Sequence, residues 1–296
     1  MILRAAVSAL FLAVPSSMAA EHGAEGTMHR LAPDVYAYTL AHDVSGESLL
    51  NVSGIVATSE GLVLFDGMPN EASSRKLRQA AEALGRGPAR FLVIGSWAPG
   101  DRTSGNNVFK DLTLIAHRDA RAKLAEYWGE RKEPAPQLAH VTYGDRVELH
   151  LGGKRLEVIY LGRGHAPGDA VLHLPDEGIV FASELFFNRV FPGLRTGFSR
   201  EWVEAIDRIK ALGAPLIVPG HGDLADAATL RARLEEFRQA LVDVRAEVEQ
   251  LYRAGRSVDE AVRETQVSRY RDWQLHGLLK ERNVRRLYDE FAGRVQ

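Results

Sequence analysis

Residues Gly162-Arg163-Gly164-His165-Ala166-Pro167-Gly168-Asp169 lie between two short apolar runs, 156–160 and Ala170–Leu174. A histidine on a Gly- and Pro-rich connection between strands sits on irregular backbone at a sheet edge, where ligands and catalysts usually reside. The pattern recurs at Val218-Pro219-Gly220-His221-Gly222. Its flanking glycines let the chain turn sharply and let other groups approach the imidazole. A third run, Val180-Phe181-Ala182-Ser183-Glu184, ends in a carboxylate, and a fourth continues through Ser96-Trp97-Ala98-Pro99-Gly100-Asp101-Arg102 to Gly105-Asn106.

Outward from these loops, the chain alternates short β-branched runs with amphipathic stretches, which predicts an α/β (α+β) architecture. Strands are expected at 35–40, 52–58, 62–66, 91–94, 113–116, 147–151, 156–160, 170–174, 179–182 and 216–219. Helices are expected at 71–84, at 118–127, and at 200–212 entering from Ser199 and stopping at Gly213. After His221 the strand pattern disappears. Leu230, Leu234, Phe237, Leu241, Val244, Val248 and Leu251 form one apolar stripe in steps of three and four. That spacing predicts a long helix packed on the same domain, in preference to a dimer seam. Gly255 is placed to end it, Ser257-Val258-Asp259-Glu260 reads as a capping box opening a short helix, and a last helix is expected from about Trp273 to Phe291.

The 296 residues carry 37 Lys+Arg against 39 Asp+Glu, 45% hydrophobic residues and no cysteine. This balance supplies no basic field for nucleic acid, and the absent thiols exclude a Cys nucleophile, Cys-ligated zinc and iron–sulfur chemistry. At the N-terminus, one positive charge at Arg4 precedes an apolar run at 5–14 and the small residues Ser17-Met18-Ala19-Ala20. The expectation is a secretory signal peptide over residues 1–20, a periplasmic or secreted mature protein, and no integral membrane segment after cleavage. The mature chain divides into a domain at 30–225 and a helical extension at 226–296 packed on it.

In order and spacing, these loops resemble the metallo-β-lactamase superfamily over nearly the whole mature chain. Gly164-His165-Ala166-Pro167-Gly168-Asp169 and Pro219-Gly220-His221-Gly222 carry most of the likeness, and the run 62–66 followed by Gly67 looks like the family's early strand. The resemblance implies an αββα sandwich of two mixed sheets with helices outside and the site at one sheet edge. Within the superfamily, Phe186-Phe187-Asn188-Arg189-Val190-Phe191-Pro192 and the helical C-terminus look like an exported subgroup associated with quinoprotein systems, which implies such a system as a partner.

Aligned on Asp101 and Gly105-Asn106, the family's three loop histidines fall at Trp97, Pro99 and Arg102. None of these side chains offers a metal a lone pair. The resemblance leaves Asp101, His165, Glu184 and His221 as metal ligands, enough for at most one zinc per chain, with a metal-free protein an equal expectation. A guanidinium beside a cation site is repulsive, so Arg102 is expected to pair with Asp101 or Glu184 in place of the lost metal.

Two functions follow from this ligand set. The first is a small-molecule binding or accessory protein with lost or altered hydrolase activity, its ligand held by Trp97 and Arg102 together with Asp101 and His165. The second is a mononuclear hydrolase of an ester, lactone or thioester-like substrate. A metal-free hydrolase using Asp101 and His165 as a catalytic pair is a third. Trp97 fits either an aromatic ligand platform or core filling. His117, His140, His150, His173 and His276 read as structural or exposed. His22, His29 and His42 read as neighbours of the processed N-terminus, able to form an adventitious metal site at most.

Overall fold

In the computed structural model, residues 26–133 and 135–295 are described; the expected signal peptide and His22 lie outside them. Strands β1 (Thr27–Ala32), β2 (Val35–Val44), β3 (Glu47–Thr58), β4 (Gly61–Phe65), β5 (Ala89–Ile94), β6 (Thr113–His117) and β7 (Val141–Tyr143) form a seven-stranded sheet in that order. Its first four strands are antiparallel and the rest join in parallel. Strands β8 (Arg146–Leu151), β9 (Lys154–Tyr160), β10 (Ala170–Leu174), β11 (Ile179–Phe181) and β12 (Leu216–Val218) form the second sheet, ordered β12-β11-β10-β9-β8.

Period-two alternation assigns each strand face to a layer. On β4, Leu62 and Leu64 pack with Leu77 and Ala81 of α1 (Glu71–Glu82) and Leu124 of α2 (Arg118–Gly129). Val63 and Phe65 point the other way, to Leu172, Phe181 and Val218 of the second sheet. On that sheet, Val171 and Val180 face outward to α3 (Ser199–Ala211) and α4 (Ala227–Arg253). The result is the expected αββα sandwich, completed by α5 (Val258–Glu264) and α6 (His276–Phe291).

The stripe of α4 is buried within this chain: Leu230, Leu234, Phe237, Leu241, Val244 and Val248 lie in the same cluster as Trp202 and Ile206 of α3. The Ser257–Glu260 capping box forms as expected. Ser199 does not cap α3; its hydroxyl binds Glu290 Oε1 at 2.9 Å and receives Arg245 Nη1 at 2.6 Å, so it ties α3 to α4 and α6 and leaves Phe198 at the cap. The last helix starts at His276, because Leu275 takes a left-handed conformation (φ 61°). Strands β1 and β7 were not expected. Both lie at the edges of the first sheet, β1 half-buried at most and β7 exposed at two of its three residues, so neither carries the apolar alternation of a core strand.

The two sheets are stitched together at one end. Val52 N donates to Gly220 O at 2.9 Å, Gly222 N to Leu50 O at 3.0 Å, and Ala170 N to Gly95 O at 2.7 Å. These bonds bring the loops after β5, β9, β11 and β12 to the same edge.

Candidate functional site

After β5 the chain makes a single π turn over Pro99–Thr103, held by Thr103 Oγ1 donating to Trp97 O at 2.9 Å. The turn sends neighbouring side chains in different directions: Asp101 lines a cleft of about 330 Å³, while Arg102 is wholly buried and does not line it. Asn51 Nδ2 on β3 fixes the turn by donating to Asp101 O at 3.0 Å.

Arg102 Nε donates to Glu184 Oε1 at 2.5 Å, Nη1 to Val52 O at 2.9 Å and Nη2 to Gly220 O at 2.6 Å. Its fork joins β3, the turn after β11 and the end of β12. Gly220 must be glycine here, since a Cβ would stand 2.7 Å from Arg102 Nη2 and closer still to Ser183 O. The expected pairing of Arg102 with Glu184 is present, but its expected contact with a ligand is corrected: with all three nitrogens committed inside the core, the guanidinium does not reach the cleft.

Asp101, Glu184 and His221 each offer one ligand atom, and these atoms all lie within 4.8 Å of one another. His221 Nε2 stands 2.9 Å from Glu184 Oε1. The same Nε2 lies 3.4 Å from Arg102 Nη2, and Nδ1 has no hydrogen-bond partner. His165 lines the same cleft, with Nδ1 3.8 Å from Glu184 Oε2 and its ring edge-on to Trp202 and Phe187. The expected Asp101–His165 pair is not formed; His165 faces Glu184, and the histidine beside Asp101 is His42, whose Nε2 lies 3.6 Å from Asp101 Oδ1.

His42 is the residue the sequence reading misplaced. Strand β2 carries Tyr38 and Leu40 on one buried face, and His42 continues that series two residues on, into the cleft lining. An apolar i, i+2 series ending in a histidine was the available signal. Both ring nitrogens of His42 lack hydrogen-bond partners. Trp97 both fills space and lines the cleft: it is buried, packs on Tyr127 at 5.8 Å, and its Nε1 has no partner. Pro99 also lines the cleft.

Electrostatics follow from burial against charge. Burial alone would raise the Glu184 carboxyl, but His221 and Arg102 outweigh it and hold the group far below the usual range. Burial opposes the Arg102 charge, yet Glu184 and Asp66 raise its affinity for the proton. Burial lowers His165, keeping it a neutral imidazole. It raises Asp169 well above the ordinary carboxyl value, although Asp169 accepts from Ser96 Oγ and Ala166 N, both at 2.7 Å.

A raised folded-state value means that Asp169 adds stability at acid pH, which is lost as pH rises through that value. Asp169→Asn keeps an acceptor for Ala166 N and a donor for Ser96 Oγ. Urea titrations from pH 4 to 8 are expected to show the variant gaining on wild type as pH rises; a constant difference would contradict the assignment.

The metallo-β-lactamase superfamily profile matches residues 100–221 of the chain. The metallo-β-lactamase type 2 of Bacillus cereus is 28% identical over 215 residues, covering 71% of this chain and 81% of that protein. Among solved structures, a metallo-β-lactamase from Pontibacter korlensis superposes with TM-score 0.63 at 22% identity, covering 72% of this chain and 99% of its own. The mono-zinc form of FIM-1 from Pseudomonas aeruginosa gives TM-score 0.63 at 17% identity, covering 74% and 95%. Together with the two stacked sheets and the helices on both outer faces, these matches show that the chain has the fold of the metallo-β-lactamase superfamily.

Proposed function

We propose that this chain is a hydrolase working with a single zinc-class ion held by Asp101, Glu184 and His221, acting on an ester, lactone or thioester-like substrate. The convergence of those three side chains on the cleft carries the proposal. The donor set fits one ion: two carboxylates and one imidazole make three ligands and leave a position for the substrate or water. It does not fit two, because Trp97 and Pro99 supply no lone pair. When bound, the ion supplies Lewis acidity toward a carbonyl oxygen.

The chain's own residues do the rest. Arg102 fixes one oxygen of Glu184 and leaves Oε2 for the His165 side. His165, kept neutral by burial, can accept a proton at its unpaired Nδ1. His42 stands beside Asp101, with Nε2 3.6 Å from Oδ1. Trp97 and Phe187 line the cleft and exclude water.

A metal-free, ligand-binding role is the second reading, favoured by the direct Arg102–Glu184 bond. Elemental analysis and zinc titration of the tag-free chain separate the two. About one zinc per chain is expected, with His221→Ala weakening it beyond the roughly 10–100-fold that loss of a supporting residue costs. No specific zinc would overturn the hydrolase reading.

We also propose export, supported by the charge, apolar and small-residue pattern of residues 1–20. The mature protein recovered from its host is expected to begin at Ala20 or Glu21. Recovery with Met1 intact would refute this.

A further inference from the structure

The floor of the cleft is polar, but its walls are not. Phe187, Val190 and Phe191 line one part and Leu275, Leu278 and Leu279 another, the last two from the first turn of α6. One turn further along α6, Arg282 lines the cleft and is exposed; so does Arg195, on the loop before α3. Neither arginine has an ion-pair or hydrogen-bond partner among the described residues, although most arginines of the chain do.

The two are held as one unit. Buried Asn283, next to Arg282, donates from Nδ2 to Pro192 O at 2.7 Å and accepts from Leu194 N at 2.9 Å. Arg286 Nη2 donates to Gly197 O at 2.9 Å. The loop is thus fastened to α6 on both sides of Arg195. Besides Asp101 and Glu184, Asp43 of the β2–β3 hairpin lines the cleft, and its Oδ1 accepts from Gly46 N at 3.3 Å. The hairpin is itself tied to the segment entering α6, through Leu275 N on Glu47 Oε2 at 2.9 Å and Gln274 Nε2 on Ser48 O at 3.0 Å.

We propose that this cleft takes an amphiphilic anion, with its carboxylate or sulfate received by Arg195 and Arg282 and its apolar stretch lying against α6. The proposal rests on the hydrolase reading for the substrate's identity as an ester: the anionic end sits at the rim and the scissile carbonyl at the polar floor. Free guanidinium forks match the two oxygens of a carboxylate or sulfate. The apolar wall adds affinity in proportion to the area it covers. A cavity of about 330 Å³ suits a small ligand of this kind. The C-terminal helix is therefore a wall of the site as well as a buttress of the fold.

The test uses the full mature chain, treated with chelator so that no metal captures the anion, and calorimetric titration with octanoate, octyl sulfate, acetate, 1-octanol and octyltrimethylammonium. Octanoate and octyl sulfate are expected to bind more tightly than acetate or octanol, and the cation not to bind. Arg195→Gln and Arg282→Gln should each weaken octanoate about tenfold and leave octanol unchanged. Both residues are exposed and unpartnered, so both variants fold.

Equal binding of octanoate and octanol by the wild type, equal binding of acetate and octanoate, or no effect of either substitution would overturn the proposal. Zinc titration of the same samples reads the hydrolase proposal separately. A chain that takes zinc but treats octanoate and octanol alike loses only the substrate class. One that takes no zinc but discriminates keeps the ligand class and loses the hydrolysis.

Discussion

Arg102→Met will lower the free energy of unfolding by about 3–5 kcal/mol at neutral pH, read as a fall in the urea midpoint of the metal-free chain. The cost arises from what the substitution leaves behind. Glu184 stays buried with its charge and keeps only the imidazoles of His221 and, at 3.8 Å, His165, while Val52 O and Gly220 O lose their donors. Methionine fills much of the volume, so packing loss is the smaller part. Arg102→Lys is expected to fall near the methionine variant, because a single ammonium cannot reach a carboxylate and two carbonyls in three directions.

The double variant Arg102→Met with Glu184→Met should recover part of the loss, since the Glu184 charge goes with its partner and only Asp66, 3.8 Å from Arg102 Nε, is left without the guanidinium. The pH dependence has a definite sign. The folded-state value of Glu184 is depressed, so its contribution is fully present above the unfolded value of about 4.3 and fades as pH falls through the folded one. Arg102→Met removes one of the groups that depress it, after His221, and should make the acid limb shallower. A variant within about 1 kcal/mol of wild type and with an unchanged acid limb would mean that Glu184 is not held by Arg102 in solution.

Trp202→Ala will cost about as much, roughly 3–5 kcal/mol, by a different route. Trp202 is wholly buried on α3, with ring centroids 5.6 Å from His165, 5.7 Å from Phe187 and 5.6 Å from Phe237. It therefore joins the stripe of α4 to the back of the cleft. Alanine leaves a cavity that the rigid edge of the second sheet cannot close. It also frees two cleft residues, so octanoate binding and zinc binding should both weaken. Trp202→Phe keeps an aromatic body but leaves Leu185 O without the indole donor at 3.1 Å, for an expected loss of about 1–3 kcal/mol with ligand binding largely retained. A Trp202→Ala variant that unfolds at the wild-type urea concentration would show that the site is not supported from α3.

The strands and helices were legible where a local pattern sufficed. The strand Ala170–Leu174 is seen where it was expected, the α4 stripe predicts its own burial, and the Ser257–Glu260 box forms. Ser199 failed as a cap because Glu290 and Arg245, 91 and 46 residues away, take its hydroxyl. His42 on β2 is similar: the i, i+2 series that ends at it marks a face, but Asp101, the group beside it, lies on the turn after β5 and meets it only in the folded chain.

The sequence by itself determined the α/β class and the four histidine- or carboxylate-bearing loops, because apolar period and glycine placement act over a few residues, and the resemblance carried by those loops implied the sandwich. Only the tertiary structure decided which donors meet. Asp101, Glu184 and His221 converge because backbone bonds close one edge of the two sheets, and Arg102 turns inward because a buried guanidinium needs acceptors that lie 50 to 118 residues away. Only the tertiary structure, too, made α6 a wall of the cleft, by fastening it to the loop around Arg195 through Asn283 and Arg286. A side chain's charge and size are written in the sequence. Its partners are fixed only when burial forces every polar group to find one.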